Sequence, residues 1–229
     1  MSLFALGDTH LSLRTNKPMD IFNGWDDYVS RLEKNWRALV KDEDTVVIAG
    51  DISWEMNLNE TLTDFSFLDS LPGTKLFMKG NHDYWWETKS KMERFFDDNN
   101  LNSIKILFNN AYRIGDIAVC GTRGWFFDDE SDAQQKVLSR EVGRLKMSIE
   151  QAKKLGGEPV VFLHYPPLTR NARCDEIYQV LVESGIKRCY YAHLHGAAHH
   201  FAFQGESDGI RFSLISGDYL KFCPLLIDG

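Results

Sequence analysis

The sequence has few of the features that mark secreted, membrane or nucleic-acid-binding proteins. Its four cysteines are scattered and none forms a Cys-x-x-Cys pair, so we predict neither a structural zinc site nor a disulfide framework. The first apolar run, from Leu3 to Gly7, is too short for a signal peptide and has no basic residues before it. No later run approaches the length of a bilayer span. These absences predict a cytoplasmic protein that does not associate with a membrane.

Basic residues are also fewer than acidic ones. The chain has 26 basic and 33 acidic residues, a net charge of −7 and no block of Lys or Arg, which disfavours a nucleic acid as partner. With 229 residues, 43% of them hydrophobic, the chain can form a sizeable core but has no room for a second catalytic module. No linker, repeat or low-complexity tract divides it, so we predict one α/β domain over residues 1–229. The sequence makes no prediction about the oligomeric state.

Apolar runs of strand length alternate with stretches of helical spacing through most of the chain. The runs predict strands at 3–6, 45–49, 76–78, 104–108, 111–114, 117–120, 159–163 and 188–192. Apolar residues that recur every three or four positions predict helices at 25–40, 58–71, 89–99, 131–155 and 176–183. Turn residues predict hairpins at Asn109-Asn110 and Gly115-Asp116. The last part of the chain is predicted to form antiparallel strands at 198–203, 210–215 and 222–227.

Five of the predicted strands end in residues that can bind a metal or transfer a proton. These residues are, in chain order, Asp8 and His10, Asp51, Asn81 with His82, His164, and His193 with His195. In open α/β sheets, ligands bind beyond the carboxyl ends of the strands, so we expect these side chains to meet. An Asn-His step beside a glycine is by itself only a turn. The prediction depends on the recurrence of the pattern.

The chemistry of these side chains predicts a pair of metal ions. Five of the seven histidines lie at these strand ends, and buried polar groups that converge without a partner would be costly. Carboxylates, an amide oxygen and imidazoles, without thiolates, suit Mn²⁺, Fe or Zn²⁺ and suit Ca²⁺ poorly. The donors are too many for one tetrahedral zinc, but they fit two divalent ions about 3.5–4 Å apart that share a carboxylate. Asp51 is the candidate for that bridge.

The strand-end motifs also occur in a recognisable order. They are Gly7-Asp8-Thr9-His10, Gly50-Asp51, Gly80-Asn81-His82-Asp83, His164 and His193-Leu194-His195. In motif order, spacing and strand-end placement the chain resembles the calcineurin-like metallophosphoesterases, from residue 3 to about residue 200. The resemblance implies an α/β fold, a four-layer α/β/β/α sandwich of two mixed sheets, with a dimetal site at the strand ends.

The resemblance also assigns roles to the residues of the motifs. It implies that Asp8, His10 and His195 hold one metal, and that Asn81, His164 and His193 hold the other. Asp51 would bridge the two metals. His82 would be an acid that binds neither metal, and Asp83 would be its orienting partner.

Two departures from the family pattern narrow the expected activity. Ala192 stands where the family usually has Gly before the last His-x-His, which tightens the turn and removes no ligand. The Ser/Thr protein phosphatases of the family carry Asp-Arg-Gly after their Gly-Asp and Glu after their Asn-His. This chain has Ile52-Ser53-Trp54 and Asp83 instead. We therefore expect a small phosphorylated substrate rather than a phosphoprotein.

Our hypothesis for the reaction is hydrolysis of a phosphate ester. Two metal ions would activate a hydroxide for in-line attack on phosphorus, and His82 would protonate the leaving oxygen as general acid. Arg123 could bind two phosphate oxygens at once, or could form only a surface salt bridge. The sequence leaves phosphodiester and phosphomonoester open. The alternative is a non-catalytic scaffold that keeps the fold and the metals for protein contacts.

Aromatic residues follow several of the motifs. They either wall a pocket for a base or an apolar leaving group or pack into the core, and they are Trp54, Trp85, Trp86, Trp125 and Phe126. His199 and His200 lie beyond the last motif, and we predict that both are exposed.

Overall fold

Two mixed β-sheets organise the computed structural model, which describes residues 1–15, 17, 19–125 and 132–229. The first sheet contains β1 (Leu3–Leu6), β2 (Thr45–Ile48), β3 (Thr74–Phe77), β4 (Ile104–Ile106) and β11 (Leu225–Asp228). The second contains β5 (Ala111–Ile114), β6 (Ile117–Thr122), β7 (Glu158–Leu163), β8 (Arg188–Tyr191), β9 (Gly205–Ser207) and β10 (Ile210–Leu214). The α-helices are α1 (Tyr28–Leu39), α2 (Leu62–Asp69), α3 (Lys89–Asp98), α4 (Asp132–Leu155) and α5 (Asp175–Glu183). Short 3₁₀-helices span Leu58–Thr61 and Gly196–Phe201. Of the helices in these residues, none combines the length and the apolar character that a bilayer span requires.

Most strands of each sheet are parallel. The first sheet has the order β11-β1-β2-β3-β4, in which β1 to β4 are parallel and β11 pairs antiparallel with β1. The second has the order β5-β6-β7-β8-β10-β9, with β6, β7, β8 and β10 parallel and the edge strands β5 and β9 antiparallel. Parallel strands end at one edge of a sheet, so each sheet gathers the residues that follow its strands along one carboxyl edge.

Alternating side chains place the two sheets between two layers of helices. In β1, Phe4 and Leu6 pack in an apolar cluster with α1, α2 and α3, whereas Leu3 and Ala5 belong to a cluster that joins the two sheets. A third cluster packs the outer face of the second sheet, including Val161, against α4 and α5. The layers are thus helix, sheet, sheet, helix. The predicted α/β/β/α sandwich of two mixed sheets is confirmed.

The first helix follows the predicted spacing but is shorter than predicted. It buries Tyr28, Leu32 and Trp36, one every fourth residue, so a single apolar stripe faces the first sheet. The helix begins only at Tyr28 because Asp27, directly before it, has a left-handed backbone with φ 50°. Amphipathic spacing therefore locates the helix better than it locates the helix ends.

The chain crosses from the first sheet to the second at Asn109-Asn110, where the sequence predicts a hairpin. That prediction is wrong, because β4 pairs with β3 and β5 pairs with β6. The Asn110 side chain fixes the crossing: Oδ1 accepts a hydrogen bond from the Phe108 amide (2.6 Å), and Nδ2 donates to the Ile106 carbonyl (3.1 Å). The predicted hairpin at Gly115-Asp116 is confirmed, since β5 and β6 pair antiparallel across it.

The C-terminal part differs from the predicted run of antiparallel strands in two places. Residues 198–203 lie largely in the 3₁₀-helix Gly196–Phe201 instead of a strand, because Gly196 turns the chain with φ 51° directly after His195. Strand β10 pairs parallel with β8 and antiparallel only with β9. Strand β11 is antiparallel, as predicted.

Candidate metal centre

The turns after β1, β2 and β8 hold candidate ligands in a strained backbone conformation. Asp8, His10, Asp51 and His193 have φ values of 57°, 41°, 51° and 74°, a region that costs a non-glycine residue of order 1–3 kcal/mol. Hydrogen bonds between the turns maintain it. The Asp8 amide donates to the Gly50 carbonyl (2.9 Å), and the His10 amide donates to the Asp51 carbonyl (2.9 Å). Strain of this kind is typical of functional sites.

Asp8, His10 and His195 form the first donor group. One ligand atom of each lies within 4.8 Å of the others. Nε2 of His195 is 3.4 Å from Nε2 of His10 and 3.5 Å from Oδ1 of Asp8. Asp8 and His10 follow β1 in the first sheet, whereas His195 follows β8 in the second. The structure thus brings together the three residues that the resemblance assigns to one metal.

Asp51, His164 and His193 form the second donor group, whose ligand atoms also lie within 4.8 Å of one another. Asn81 adjoins this group, because its Oδ1 is 2.6 Å from Nε2 of His164. Nδ1 of His164 is 3.0 Å from the Ala49 carbonyl oxygen, to which it donates its proton. Nε2 of His164 then keeps the lone pair that a metal would need.

Asp51, a member of the second donor group, also faces the first. Its Oδ2 is 3.5 Å from Nε2 of His164 and 3.7 Å from Nε2 of His10. Its Oδ1 accepts a hydrogen bond from the amide of His82 (2.8 Å). One carboxylate therefore faces nitrogen donors of both groups, which is the position that a bridging ligand requires.

Protein groups alone do not satisfy these donors. Oδ1 of Asp8 and Nδ1 of His10 are buried without a hydrogen-bond partner among the residues that the structure describes. Burial and the charge of Asp8 raise the pKa of Asp51 to about 8, and burial lowers the pKa of His10 and of His193 to about 3. A divalent ion with a mixed O/N preference would supply the missing partner, because it binds the ionised form of a carboxyl group such as Asp51 and the neutral imidazoles of His10 and His193. The residues present fit two such ions.

Asp218 is a site residue that the sequence analysis misses. Its Oδ1 is 3.0 Å from Nδ1 of His195, and its Oδ2 accepts a hydrogen bond from the Gly196 amide (2.8 Å). Burial lowers the pKa of His195, but Asp8 and Asp218 outweigh burial and raise that pKa to about 10. A signal was present in the sequence, since Gly217-Asp218 follows β10 and repeats the strand-Gly-Asp pattern of the first two motifs.

The same carboxylate explains why the prediction of an exposed His199 is wrong. Nε2 of His199 is 3.1 Å from Oδ1 of Asp218, and its side chain is 26% exposed. The neighbouring His200 is exposed, as predicted. Asp218 therefore joins two histidines behind the first donor group.

Asp83 holds the turn after β2, and the orienting contact with His82 that the resemblance implies is not formed. The Asp83 carboxylate accepts hydrogen bonds from the amides of Asp51 (2.9 Å), Ile52 (2.8 Å) and Gly80 (2.7 Å) and from Nε1 of Trp85 (3.0 Å). Nδ1 of His82 is buried without a hydrogen-bond partner in the part of the chain that the structure describes. Because Asp83 fixes the backbone of Asp51, the contribution of Asp83 is to position Asp51, the candidate bridging ligand.

His82 adjoins the donor groups without belonging to either. Its ring centroid is 4.7 Å from that of Trp54 and 5.7 Å from that of His10. Burial and the nearby His164 lower the pKa of His82. A histidine in this position can transfer a proton to a bound ester without holding a metal.

Protein groups engage Arg123 only in part, because its Nε is buried without a hydrogen-bond partner among the described residues. Its guanidinium Nη2 is 3.7 Å from Oε1 of the buried Glu141, and its Cζ lies 4.6 Å from the ring centroid of Trp125. Arg144 pairs with the same carboxylate oxygen at 2.5 Å. The salt bridge expected as the alternative role is therefore formed, with a buried acid rather than a surface one. Binding of phosphate by Arg123 stays a prediction.

Core packing accounts for most of the aromatic residues that follow the motifs. Trp85 is buried in the helix-side core, and Trp86 and Trp125 are partly buried against apolar clusters. Trp54 instead lines a cavity beside the first donor group. Phe126 lies outside the described residues.

Fold and site together define the class. An α/β/β/α sandwich with two histidine–carboxylate donor groups at its carboxyl edges, and the Asp51 carboxylate facing both, is the architecture of a metallophosphoesterase. The family model of the calcineurin-like phosphoesterases matches residues 1–197, most of the chain, and the protein belongs to this family. The resemblance in the strand-end motifs is confirmed.

Solved structures with a similar fold have low sequence identity to this chain. Phosphopantetheinyl hydrolase (PptH) from Mycobacterium tuberculosis matches with a TM-score of 0.59 at 13% identity, over 99% of this chain and 95% of that chain. The protein TT1561 of Thermus thermophilus matches with a TM-score of 0.55 at 11% identity, over 84% and 81%. AQ665 from Aquifex aeolicus, a protein of unknown function, matches with a TM-score of 0.50 at 13% identity, over 98% and 95%. These likenesses show the fold alone. Comparison with curated proteins gives no match.

Proposed function

We propose that the protein hydrolyses a phosphate ester of a small molecule with the aid of two divalent metal ions. The observation that carries the proposal is that the Asp51 carboxylate faces histidines of both donor groups, with the amide of His82 hydrogen-bonded to it and the His82 ring outside both groups. Membership of the calcineurin-like phosphoesterase family supports the reaction class. A phosphopantetheinyl hydrolase with a similar fold supports a hydrolase.

The chain's own residues have separate tasks in this proposal. Asp8, His10 and His195 would hold one ion, His164, His193 and Asn81 the other, and Asp51 would contact both. When bound, Mn²⁺, Fe or Zn²⁺ ions would supply Lewis-acid charge and a water acidic enough to act as nucleophile near neutral pH. His82 remains free to protonate the leaving oxygen, a contribution of typically about 10²–10⁴-fold in rate.

We propose a phosphodiester rather than a phosphomonoester as substrate. A monoester carries an additional anionic oxygen, so its site needs additional positive charge. The sequence suggests two cations for this purpose. Arg123 is paired with Glu141 and stacked on Trp125, and Arg14 is paired with Glu55 and Glu60. A diester carries a single negative charge, which two divalent ions can balance without a further cation.

Elemental analysis combined with a matched pair of substrates tests the proposal. We expect two ions per chain, and hydrolysis of bis(4-nitrophenyl) phosphate under Mn²⁺ with a higher kcat/KM than that of 4-nitrophenyl phosphate. The Asp51→Asn variant is the control, because it should lose both metal and activity. A protein that holds two ions and hydrolyses neither ester would be the metal-binding scaffold. A higher kcat/KM for the monoester would reverse the choice of ester.

A further inference from the structure

A cavity of about 510 Å³ opens directly beside the first donor group. His10, His195 and His82 form the wall on the side of the metal centre. A group bonded to an oxygen that His82 protonates must lie within reach of the His82 ring. The cavity is therefore in the right place to receive the leaving group of the ester.

The remaining walls of this cavity are mainly aromatic. Trp54 stacks on His10 with ring centroids 4.8 Å apart and planes 22° apart. Trp25 lies 5.7 Å from His10 and 5.6 Å from His195, again between centroids. The two indoles thus hold the imidazoles of the donor group in place and line the cavity at the same time.

The outer part of the cavity comes from the loop that follows β1. Phe22 lines the cavity and is 52% exposed, although it is a large apolar side chain. Covering such an exposed ring with an apolar ligand removes apolar surface from water, which favours binding. Ile21, next to it, is 73% exposed but does not line the cavity.

Polar partners are scarce in the cavity. Apart from the three imidazoles and the two indoles, Asn23 is the only side chain with a polar group among the described residues that line it, and none of them is a carboxylate, lysine or arginine. A sugar-like leaving group would bury hydroxyls without partners, at a cost of about 1–3 kcal/mol for each unsatisfied group. One lysine, Lys17, lies over the Trp54 ring, with Nζ 5.0 Å from the ring centroid.

Resting on the proposed function, we infer that this cavity binds the leaving group of the substrate, and that this group is a flat aromatic ring. In the reaction a water oxygen forms a new bond to phosphorus, and the bond from phosphorus to the aryl oxygen breaks. The leaving oxygen takes a proton from His82, the proton lost by water passes to solvent, and solvent protonates His82 again before the next turnover. The aryl alcohol then leaves through the opening beside Phe22.

Two methyl phosphodiesters with leaving groups of similar acidity test the inference. One carries a 2-naphthyl group, which is flat and aromatic, and the other a hexafluoroisopropyl group, which is neither. We expect the native protein with Mn²⁺ to favour the naphthyl ester in kcat/KM, mainly through a lower KM. Removal of one stacking contact by Phe22→Ala should reduce this preference about three- to tenfold.

Matched variants distinguish a side chain that contacts the leaving group from one that only supports the fold. Ile21→Ala, in the same loop, should leave the preference unchanged, and Trp54→Phe should keep most of it because an aromatic face remains. Equal kcat/KM values for the two esters in the native protein, or an unchanged preference in Phe22→Ala, would overturn the inference.

A binding measurement distinguishes failure of the inference from failure of the proposed function. Calorimetric titration with 2-naphthol needs no turnover, and we expect binding that Phe22→Ala weakens and Ile21→Ala does not. If neither ester is hydrolysed but 2-naphthol binds in this pattern, the proposed function is wrong and the aromatic site stands. If the esters are hydrolysed without preference and 2-naphthol does not bind, the inference is wrong and the function stands.

Discussion

The carboxylate of Asp218 lies 3.0 Å from Nδ1 of His195, while the other ring nitrogen, Nε2, lies 3.5 Å from Asp8. A hydrogen bond from Nδ1 to a carboxylate fixes the tautomer and raises the basicity of a metal-binding imidazole. Asp218 is itself held by the Gly196 amide. His195 is therefore presented to the first donor group in one orientation.

Substitution of Asp218 should weaken metal binding without removing a ligand. In Asp218→Asn we expect the affinity for the ion at the first donor group to fall about 10–100-fold. Competition with a chelator measures this metal affinity. His199→Gln is the matched control, because His199 contacts the same carboxylate oxygen but belongs to neither donor group, and its effect should be much smaller. Equal affinities in the Asp218→Asn and native proteins would contradict the proposed orientation by Asp218.

Removal of His82 should separate turnover from metal content. In His82→Ala we expect kcat to fall by about 10²–10⁴-fold, with two ions per chain retained, because neither donor group includes His82. Steady-state kinetics and elemental analysis of the same preparation measure both quantities. His200→Ala, at an exposed histidine, serves as control. If metal content fell together with kcat, His82 would be a ligand and not the acid.

Replacement of Gly80 by alanine should displace Asp51, the candidate bridging ligand. A Cβ built at this position would lie 2.1 Å from Oδ1 and 2.2 Å from the amide nitrogen of Asp51. In Gly80→Ala we expect at least one ion per chain to be lost and activity to fall by about 100-fold or more. Elemental analysis of the folded variant, with circular dichroism as the folding test, would detect the loss.

Gly143 offers a matched control for that substitution. It lies in α4, where an added Cβ would meet no heavy atom within 4 Å. Gly143→Ala should keep both ions and raise the free energy of unfolding by about 0.5–1 kcal/mol. Full metal content in a folded Gly80→Ala protein would show that the turn tolerates the extra atom.

The buried Lys75 should give the stability a pH dependence above neutrality. Its Nζ donates to the carbonyls of Leu71, Gly73 (2.8 Å) and Asp69 (3.3 Å). Burial lowers its pKa from 10.5 to about 8. Between these values the unfolded chain binds more protons than the folded one, so the contribution of Lys75 to the free energy of unfolding rises with pH. The full change is up to about 3 kcal/mol.

Urea denaturation of the native protein and of Lys75→Met tests this linkage. The variant cannot titrate at this position, although it leaves carbonyls without a donor and should be less stable throughout. We expect the stability difference between native protein and variant to grow as the pH rises from about 8 to about 10. A difference that stays constant over this range would show that Lys75 keeps an ordinary pKa in the fold.

The donor groups could be predicted from the sequence because each ligand is marked by the residues next to it. Asp8, Asp51 and His164 each come directly after an apolar run, and strand ends of a parallel sheet meet at one edge. The layer order followed from the resemblance, and the alternation of Leu3 and Phe4 between the two clusters agrees with it. These features need no knowledge of which strand pairs with which.

The features that the sequence did not predict depend on non-local partners. The turn at Asn109-Asn110 has the composition of a hairpin, and only the pairing of β4 with β3 makes it a crossing between sheets. The donors to Asp83 come largely from the turn after β2, about thirty residues away. Asp218 meets His195 only because β10 lies next to β8 in the second sheet.

Each donor group takes ligands from both sheets: Asp8 and His10 are joined by His195, and Asp51 is joined by His164 and His193. A folding intermediate with only one sheet assembled would have no complete binding site, so ion capture has to wait until the two halves have closed. Once captured, each ion would cross-link segments that lie far apart in the sequence. Removal of the ions by a chelator should therefore weaken the contact between the two sheets before either sheet unfolds.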